Sequence, residues 1–173
     1  MELNPDKLRS QLARLKPIMQ NQSLDATRKR QNMLGELMAA SRQHQVNMRR
    51  HPFSRFQGLW ITPREQRREG VILYLHGGGY VTGGEEYAKS FGSTLAYTCG
   101  CRVFCCAYRL APEQPYPAAL EDALEAYRYL LGKGYQRITL CGESAGGGLC
   151  YALCLKLKAL SLPMPCCVVT VSP

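Results

Sequence analysis

From Phe56 onward the chain alternates between short apolar runs and stretches with apolar residues at helical spacing. Val71 to Leu75 and Arg102 to Tyr108 are almost continuously apolar, the pattern of strands buried on both faces. Gly58 to Thr62, Arg137 to Cys141 and Cys166 to Val171 read as further strands. Between them, Ala88 to Tyr97, Ala118 to Leu131 and Ala145 to Leu160 read as helices. The second of these is the strongest, with Leu120, Leu124, Tyr127 and Leu131 on one face and Gly132 just past its end. Strands alternating with helices predict an α/β fold with a mostly parallel sheet.

Before Phe56 the pattern is helical only. Asn4-Pro5-Asp6 has the form of a helix start, followed by Leu8, Leu12 and Leu15 on one face and by Pro17, which ends or bends the helix. A second helix is expected from Ser23 or Asp25. Met33, Leu34, Leu37 and Met38 give it an apolar stripe, for which core packing is the ordinary explanation; the methionines would also suit an adaptable lid. Two segments follow: an N-terminal helical cap over residues 1–55 and the first part of a catalytic domain over 56–173. The last residues, Val168 to Pro173, stop on a strand-like run instead of a polar linker, so the sequence reads as truncated, its C-terminal part missing.

Charge sharpens this division. Of 22 Lys+Arg and 13 Asp+Glu, 14 and 6 fall in residues 1–70, so the net charge of +9 is concentrated in the N-terminal part of the chain, chiefly its helices. No aromatic residues interleave with Arg28-Lys29-Arg30 or Arg49-Arg50 and no nucleic-acid motif occurs, so a solvated helix face is expected, with no nucleic-acid partner. His44 and His51 are expected at the surface. Nine cysteines, an odd count without a secretion signal, suit a reducing, cytoplasmic compartment. Most lie in apolar runs as small hydrophobes, and adjacent pairs would point to opposite faces of a strand; no metal site is expected. No run is apolar enough over sufficient length to span a membrane.

Two motifs carry chemistry. Gly142-Glu143-Ser144-Ala145-Gly146 lies between a predicted strand and a predicted helix, the setting of a nucleophile elbow. Gly142 and Gly146 would let strand and helix approach closely, and the helix N-terminus would favour developing negative charge. His76-Gly77-Gly78-Gly79 follows its own strand, and its backbone N–H groups, with that of Ala145, could form an oxyanion hole. The glycine loop fits neither the phosphate-loop nor the dinucleotide pattern. His76 ends a strand, a place for an orienting hydrogen bond and not for the catalytic base. Glu143 is expected to orient local backbone. After Ser144 there is no Asp, Glu or His, whereas the triad order on this scaffold runs Ser, acid, His.

Four blocks, His76–Gly79, Tyr108–Glu113, Tyr116–Asp122 and Gly142–Gly147, stand in the order found in the hormone-sensitive-lipase family of esterases, which the chain resembles from about Phe56 to Pro173. Residues 1–55 look like that family's cap helices. The resemblance implies an α/β-hydrolase fold, with Ser144 as nucleophile and Gly78, Gly79 and Ala145 as oxyanion donors. It also implies cleavage of short- to medium-chain carboxylic esters without a cofactor. Arg109, Glu113 and Asp122 match family positions and are expected to pair or cap helices. The expected partner is a small ester, and a homo-oligomer is allowed. The alternatives are a non-catalytic small-ligand-binding protein on the same scaffold, or a truncated product without function.

Overall fold

The computed structural model describes residues 23–173. It contains helices α1 (Leu24–Ala40), α2 (Glu85–Cys99), α3 (Ala118–Gly132) and α4 (Ala145–Ala159), and strands β1 (Val46–Pro52), β2 (Gln57–Pro63), β3 (Val71–Leu75), β4 (Arg102–Ala107), β5 (Ile138–Glu143) and β6 (Cys167–Val171). One mixed sheet takes the order β1-β2-β4-β3-β5-β6. β4, β3, β5 and β6 run parallel, and β1 and β2 are antiparallel additions at one edge.

Residue alternation sorts the strands into two faces. Val71, Leu73, Leu75, Phe104, Cys106 and Leu140 join α3 and α4 in one core cluster. Ile72, Tyr74, Val103, Cys105 and Cys141 join α2 in the other. The adjacent pair Cys105 and Cys106 is thereby split between faces, each a buried small hydrophobe. Burial pushes both thiols well above their ordinary range.

The sheet begins earlier than the pattern suggested: β1 lies inside the segment read as cap. Its sequence, Val-Asn-Met-Arg-Arg-His-Pro, has one buried residue, so an exposed edge strand left almost no apolar signal. On α3 the buried face includes Ala123, Ala126 and Leu130, while Leu120 and Leu131 are only half-buried.

The stripe on α1 was misread as core. Met33 is 65% exposed and Leu37 70%, with Leu34 and Met38 close behind. The helix instead packs on α2 through its small residues Gly35 and Ala39. A Cβ on Gly35 would come within 2.8 Å of the Tyr87 Cα, so the helices touch backbone to backbone. Ser23 caps this helix, its hydroxyl accepting from the Ala26 N–H. The expected helix from Asn4 with Leu8, Leu12 and Leu15 lies outside the described residues. None of the described helices is long and apolar enough to cross a membrane.

Candidate active site

β5 delivers the chain to Glu143, and α4 starts at Ala145. Ser144, between them, is held at φ 51°, ψ −124°, a conformation non-glycine residues seldom adopt. Packing enforces the turn. A Cβ on Gly146 would lie 2.6 Å from the His76 carbonyl oxygen and 2.7 Å from the Leu75 carbonyl carbon; one on Gly142 would lie 2.9 Å from the Gly147 nitrogen. Strand and helix therefore meet with no room for side chains. The Ser144 N–H donates to the Val171 carbonyl at 2.9 Å. Its hydroxyl makes no capping bond to α4, and the residue is exposed.

The second segment is the loop after β3. Gly78 sits at φ 116°, a region closed to ordinary side chains. Its carbonyl accepts from the N–H groups of Val81 (3.1 Å) and Thr82 (3.0 Å) and from the Thr82 hydroxyl (3.0 Å). Among the described residues, the N–H groups of Gly78 and Gly79 meet no acceptor, and neither does that of Ala145 at the head of α4. Gly77 is different. Its N–H donates to Glu143 Oε1 at 2.7 Å, and the Tyr74 hydroxyl donates to the same oxygen at 2.9 Å. Gly77, grouped with the oxyanion donors on its place in the motif, thus has its donor already engaged, and the available set shrinks to Gly78, Gly79 and Ala145. Glu143 ties the glycine loop to the elbow, an orienting contact on the backbone.

His76 is wholly buried and stacked on Tyr108 at 4.1 Å between ring centroids. Its Nδ1 pairs with the Gly77 carbonyl at 2.8 Å, and the Tyr108 hydroxyl donates to the His76 carbonyl. Burial lowers its pKa to about 4. A neutral ring enclosed in this way supports the loop and cannot serve an exposed serine as base.

Sequence reasoning missed Arg28. Its run of three cations suggested a solvated face, yet this guanidinium reaches across from α1 to both loops. Nε donates to the Val81 carbonyl (2.7 Å), Nη2 to the Ala111 carbonyl (2.9 Å), and Nη1 and Nη2 grip the two Glu113 oxygens at 2.7 and 2.8 Å. That bidentate contact holds the Glu113 carboxyl down at about 2. Only the Ala111-Pro112-Glu113 block hinted at a partner. Nearby, Arg109 pairs with the fully buried Asp122 through Nη2 at 2.8 Å, and Asp122 also accepts the Arg109 N–H. Arg109, Glu113 and Asp122 therefore have the pairing roles expected of them.

A mainly apolar hollow of about 260 Å³ lies beside this assembly, lined by Tyr80, Tyr116, Pro117, Leu120, Leu149 and Ala152. Tyr80 leaves the glycine loop at φ 62°, and its hydroxyl would sit 3.3 Å from a Cβ placed on Gly148 in α4. Among the described residues, no cluster of three or more His, Cys, Asp or Glu could hold a metal ion.

Comparison with known proteins decides the ancestry of this arrangement. Residues 72–173 match the model of the α/β-hydrolase fold family. The chain belongs to that family. Within it, the chain is 41% identical over 116 residues to an acetyl-hydrolase of Streptomyces hygroscopicus, covering 66% of this chain and 38% of that protein. It is 37% identical over 118 residues to the hormone-sensitive lipase of Homo sapiens, covering 62% of this chain and 11% of that protein. A crystal structure described as a hormone-sensitive lipase from a metagenome library superposes with a TM-score of 0.80 at 34% identity, over 98% of this chain and 57% of the other. An esterase of the bacterial hormone-sensitive lipase family gives 0.76 at 39% identity, over 87% and 50%. This α/β-hydrolase is thus a hormone-sensitive-lipase-like chain that spans roughly half, or less, of the relatives it matches.

Proposed function

We propose that the α/β-hydrolase site is that of a carboxylic ester hydrolase with Ser144 as nucleophile. The observation that carries the reading is the coupling of two segments. Ser144 stands exposed on a strained strand-to-helix turn, and Glu143 beside it fastens the loop that presents the unpaired Gly78 and Gly79 N–H groups. In this mechanism the Ser144 oxygen attacks the ester carbonyl while a base takes its proton. The oxyanion is received by Gly78, Gly79 and Ala145, and the base returns the proton to the leaving alkoxide. Water then releases the acid by the same route. The hollow beside Tyr80 matches a short to medium acyl chain in size and polarity. No step calls for a cofactor.

Base and orienting acid are not among these residues: nothing after Ser144 can titrate in those roles, and His76 is sealed away. The 173-residue chain alone should therefore hydrolyse p-nitrophenyl acetate far more slowly than a complete triad would, retaining only the oxyanion-hole and binding contributions, on the order of 10³–10⁴-fold over water. In a form that supplies the base, Ser144→Ala lowers kcat by about 10⁶-fold with an unchanged circular dichroism spectrum. Wild-type turnover in that variant would remove Ser144 from the mechanism. Strong turnover by the 173-residue chain, lost in Ser144→Ala, would mean that a base lies within it.

A further inference from the structure

At the opposite end of the sheet lies a second concavity that the ester chemistry does not use. Register pairs Asn47 with Thr62 across β1 and β2 and sets Arg49, Trp60 and Phe104 in one row across β1, β2 and β4, with Arg102 next to Val103, the partner of Ile61. Trp60 and Phe104 face the α3 side. Arg102 is the first residue of β4, so the rows lie where the parallel strands begin, whereas Ser144 follows the end of β5. The C-terminal end of α3, with Tyr129 and Lys133, borders these rows. The result is an open cleft of about 700 Å³ with Trp60, Tyr129 and Tyr135 as its aromatic floor and Arg49, Arg102 and Lys133 around it.

The three cations are uncompensated: among the described residues no carboxylate pairs with any of them. Arg102 spends two of its donors on neutral groups, Gln66 Oε1 and the Tyr135 hydroxyl, both at 3.0 Å. Lys133 lies 5.6 Å from the Tyr129 ring centroid. The Trp60 indole N–H is spent on the Tyr129 hydroxyl at 3.2 Å, which fixes the floor. The positive field is felt at His51, stacked on Tyr129 at 4.2 Å. Burial lowers its pKa first, and the Lys133 and Arg49 charges lower it further. Cations without carboxylate partners around an aromatic floor match a multiply charged anion attached to a planar, apolar body.

We infer that this cleft binds a phosphate monoester that also bears a flat aromatic group, as aryl phosphates do directly and nucleoside monophosphates do through their sugar. The phosphate sits among Arg49, Arg102 and Lys133, and the ring lies against the Tyr129, Tyr135 and Trp60 wall. The inference is independent of the ester chemistry, since no residue is shared with the Ser144 site.

Trp60 is the sole tryptophan of the chain, so its emission reports on the cleft directly. Phenyl phosphate and AMP, titrated into the 173-residue protein at low salt, should give a saturable change with a sub-millimolar Kd that weakens as NaCl is added. Inorganic phosphate, phenol and benzoate should each bind at least about tenfold more weakly. Arg49→Ala and Lys133→Ala, both at exposed positions, should each raise the Kd by about tenfold or more, with circular dichroism unchanged. Ser144→Ala should leave it alone. Absence of a saturable change at millimolar phenyl phosphate, or equal Kd values for wild type and both cation variants, would overturn the proposal and leave the cations as guards of the β1 edge. Inorganic phosphate binding as tightly as phenyl phosphate would overturn the aromatic half, and benzoate binding as tightly would overturn the phosphate half.

Discussion

The elbow and the cap helix lie on either side of the glycine loop and are held in opposite ways. At the elbow, β3, β5 and α4 touch through backbone: Gly142 and Gly146 leave no space for a methyl group, and Leu75, His76 and Leu149 are buried. Helix α1 turns its larger apolar residues outward and touches α2 through Gly35 and Ala39. Among the described residues, its hydrogen-bonded link to the two loops is the Arg28 guanidinium. The contrast shows where precision resides. The turn at Ser144 is set by backbone contacts that tolerate nothing larger, and α1 is tied to the loops by hydrogen bonds that a side chain can make and release.

The largest effect should come from filling the elbow. Gly146→Ala drives a methyl group into the Leu75 and His76 carbonyls, which are backbone and cannot move aside. We expect a loss of about 3–5 kcal/mol, a large share of the roughly 5–15 kcal/mol that keeps a domain folded. Urea denaturation followed by circular dichroism measures it. A loss under about 1 kcal/mol would mean that elbow and cap are equally compliant.

His76 sharpens the same point through pH. Its folded pKa of about 4 lies below the ordinary 6.5, so the folded state refuses a proton that the unfolded state accepts. The sign is then fixed: the contribution is complete above pH 6.5 and is lost as pH falls toward 4. The span corresponds to about 3 kcal/mol. His76→Gln should flatten that part of the stability curve, whatever it does to the absolute value. A wild-type curve flat between pH 6.5 and 4 would show that the ring is not sealed.

The two regions also differed in legibility. The elbow and its loop could be read because β3 is a five-residue apolar run and because glycine has few reasons to recur around one serine. Boundaries there agree within a residue or two: Val71–Leu75 coincides, and Ala145 begins α4 as expected. The cap could not be read in the same way. Helical spacing reports that Met33, Leu34, Leu37 and Met38 share a face, but not whether anything covers it. Small residues such as Gly35 carry no hydropathy signal although they make the contact. β1 was invisible because an edge strand with two arginines and a histidine looks like a loop. The Gly77–Glu143 bond and the Arg28 clamp, which span 66 and 85 residues, exist only once the chain is folded.

A smaller and more local effect is expected from the clamp. Arg28→Ala removes four hydrogen bonds at once, two of them charge-assisted contacts to a half-exposed Glu113. Global stability should fall by about 1 kcal/mol, because surface ion pairs contribute little. Amide exchange should rise by more than about tenfold across α1, residues 78–82 and 110–114, while β3 and β5 stay protected. Arg28→Lys should restore only part, since an ammonium cannot hold two carbonyls and a carboxylate together. Acid should mimic the mutation. Glu113 is held ionised down to about 2, so its contribution is present above its ordinary range near 4.5 and disappears as pH falls through 2. Uniform exchange across cap and sheet would show that the clamp is not the hinge between them.

The smallest effect should be at the apolar stripe itself. Met33, Leu37 and Met38 are each more than half exposed, so replacing them gives up little buried area. Leu37→Gln and Met38→Gln should shift the urea midpoint by no more than about 0.5 kcal/mol in either direction, because exposed positions seldom exceed that. A Leu in the sheet core gives the opposite expectation: Leu73→Ala, at a fully buried position, should cost about 2–5 kcal/mol. The ratio between the two substitutions measures how much of α1's apolar surface is engaged. If Leu37→Gln alone cost more than about 1 kcal/mol, something beyond the described contacts would have to cover that face, and the cap would be anchored by packing as the elbow is.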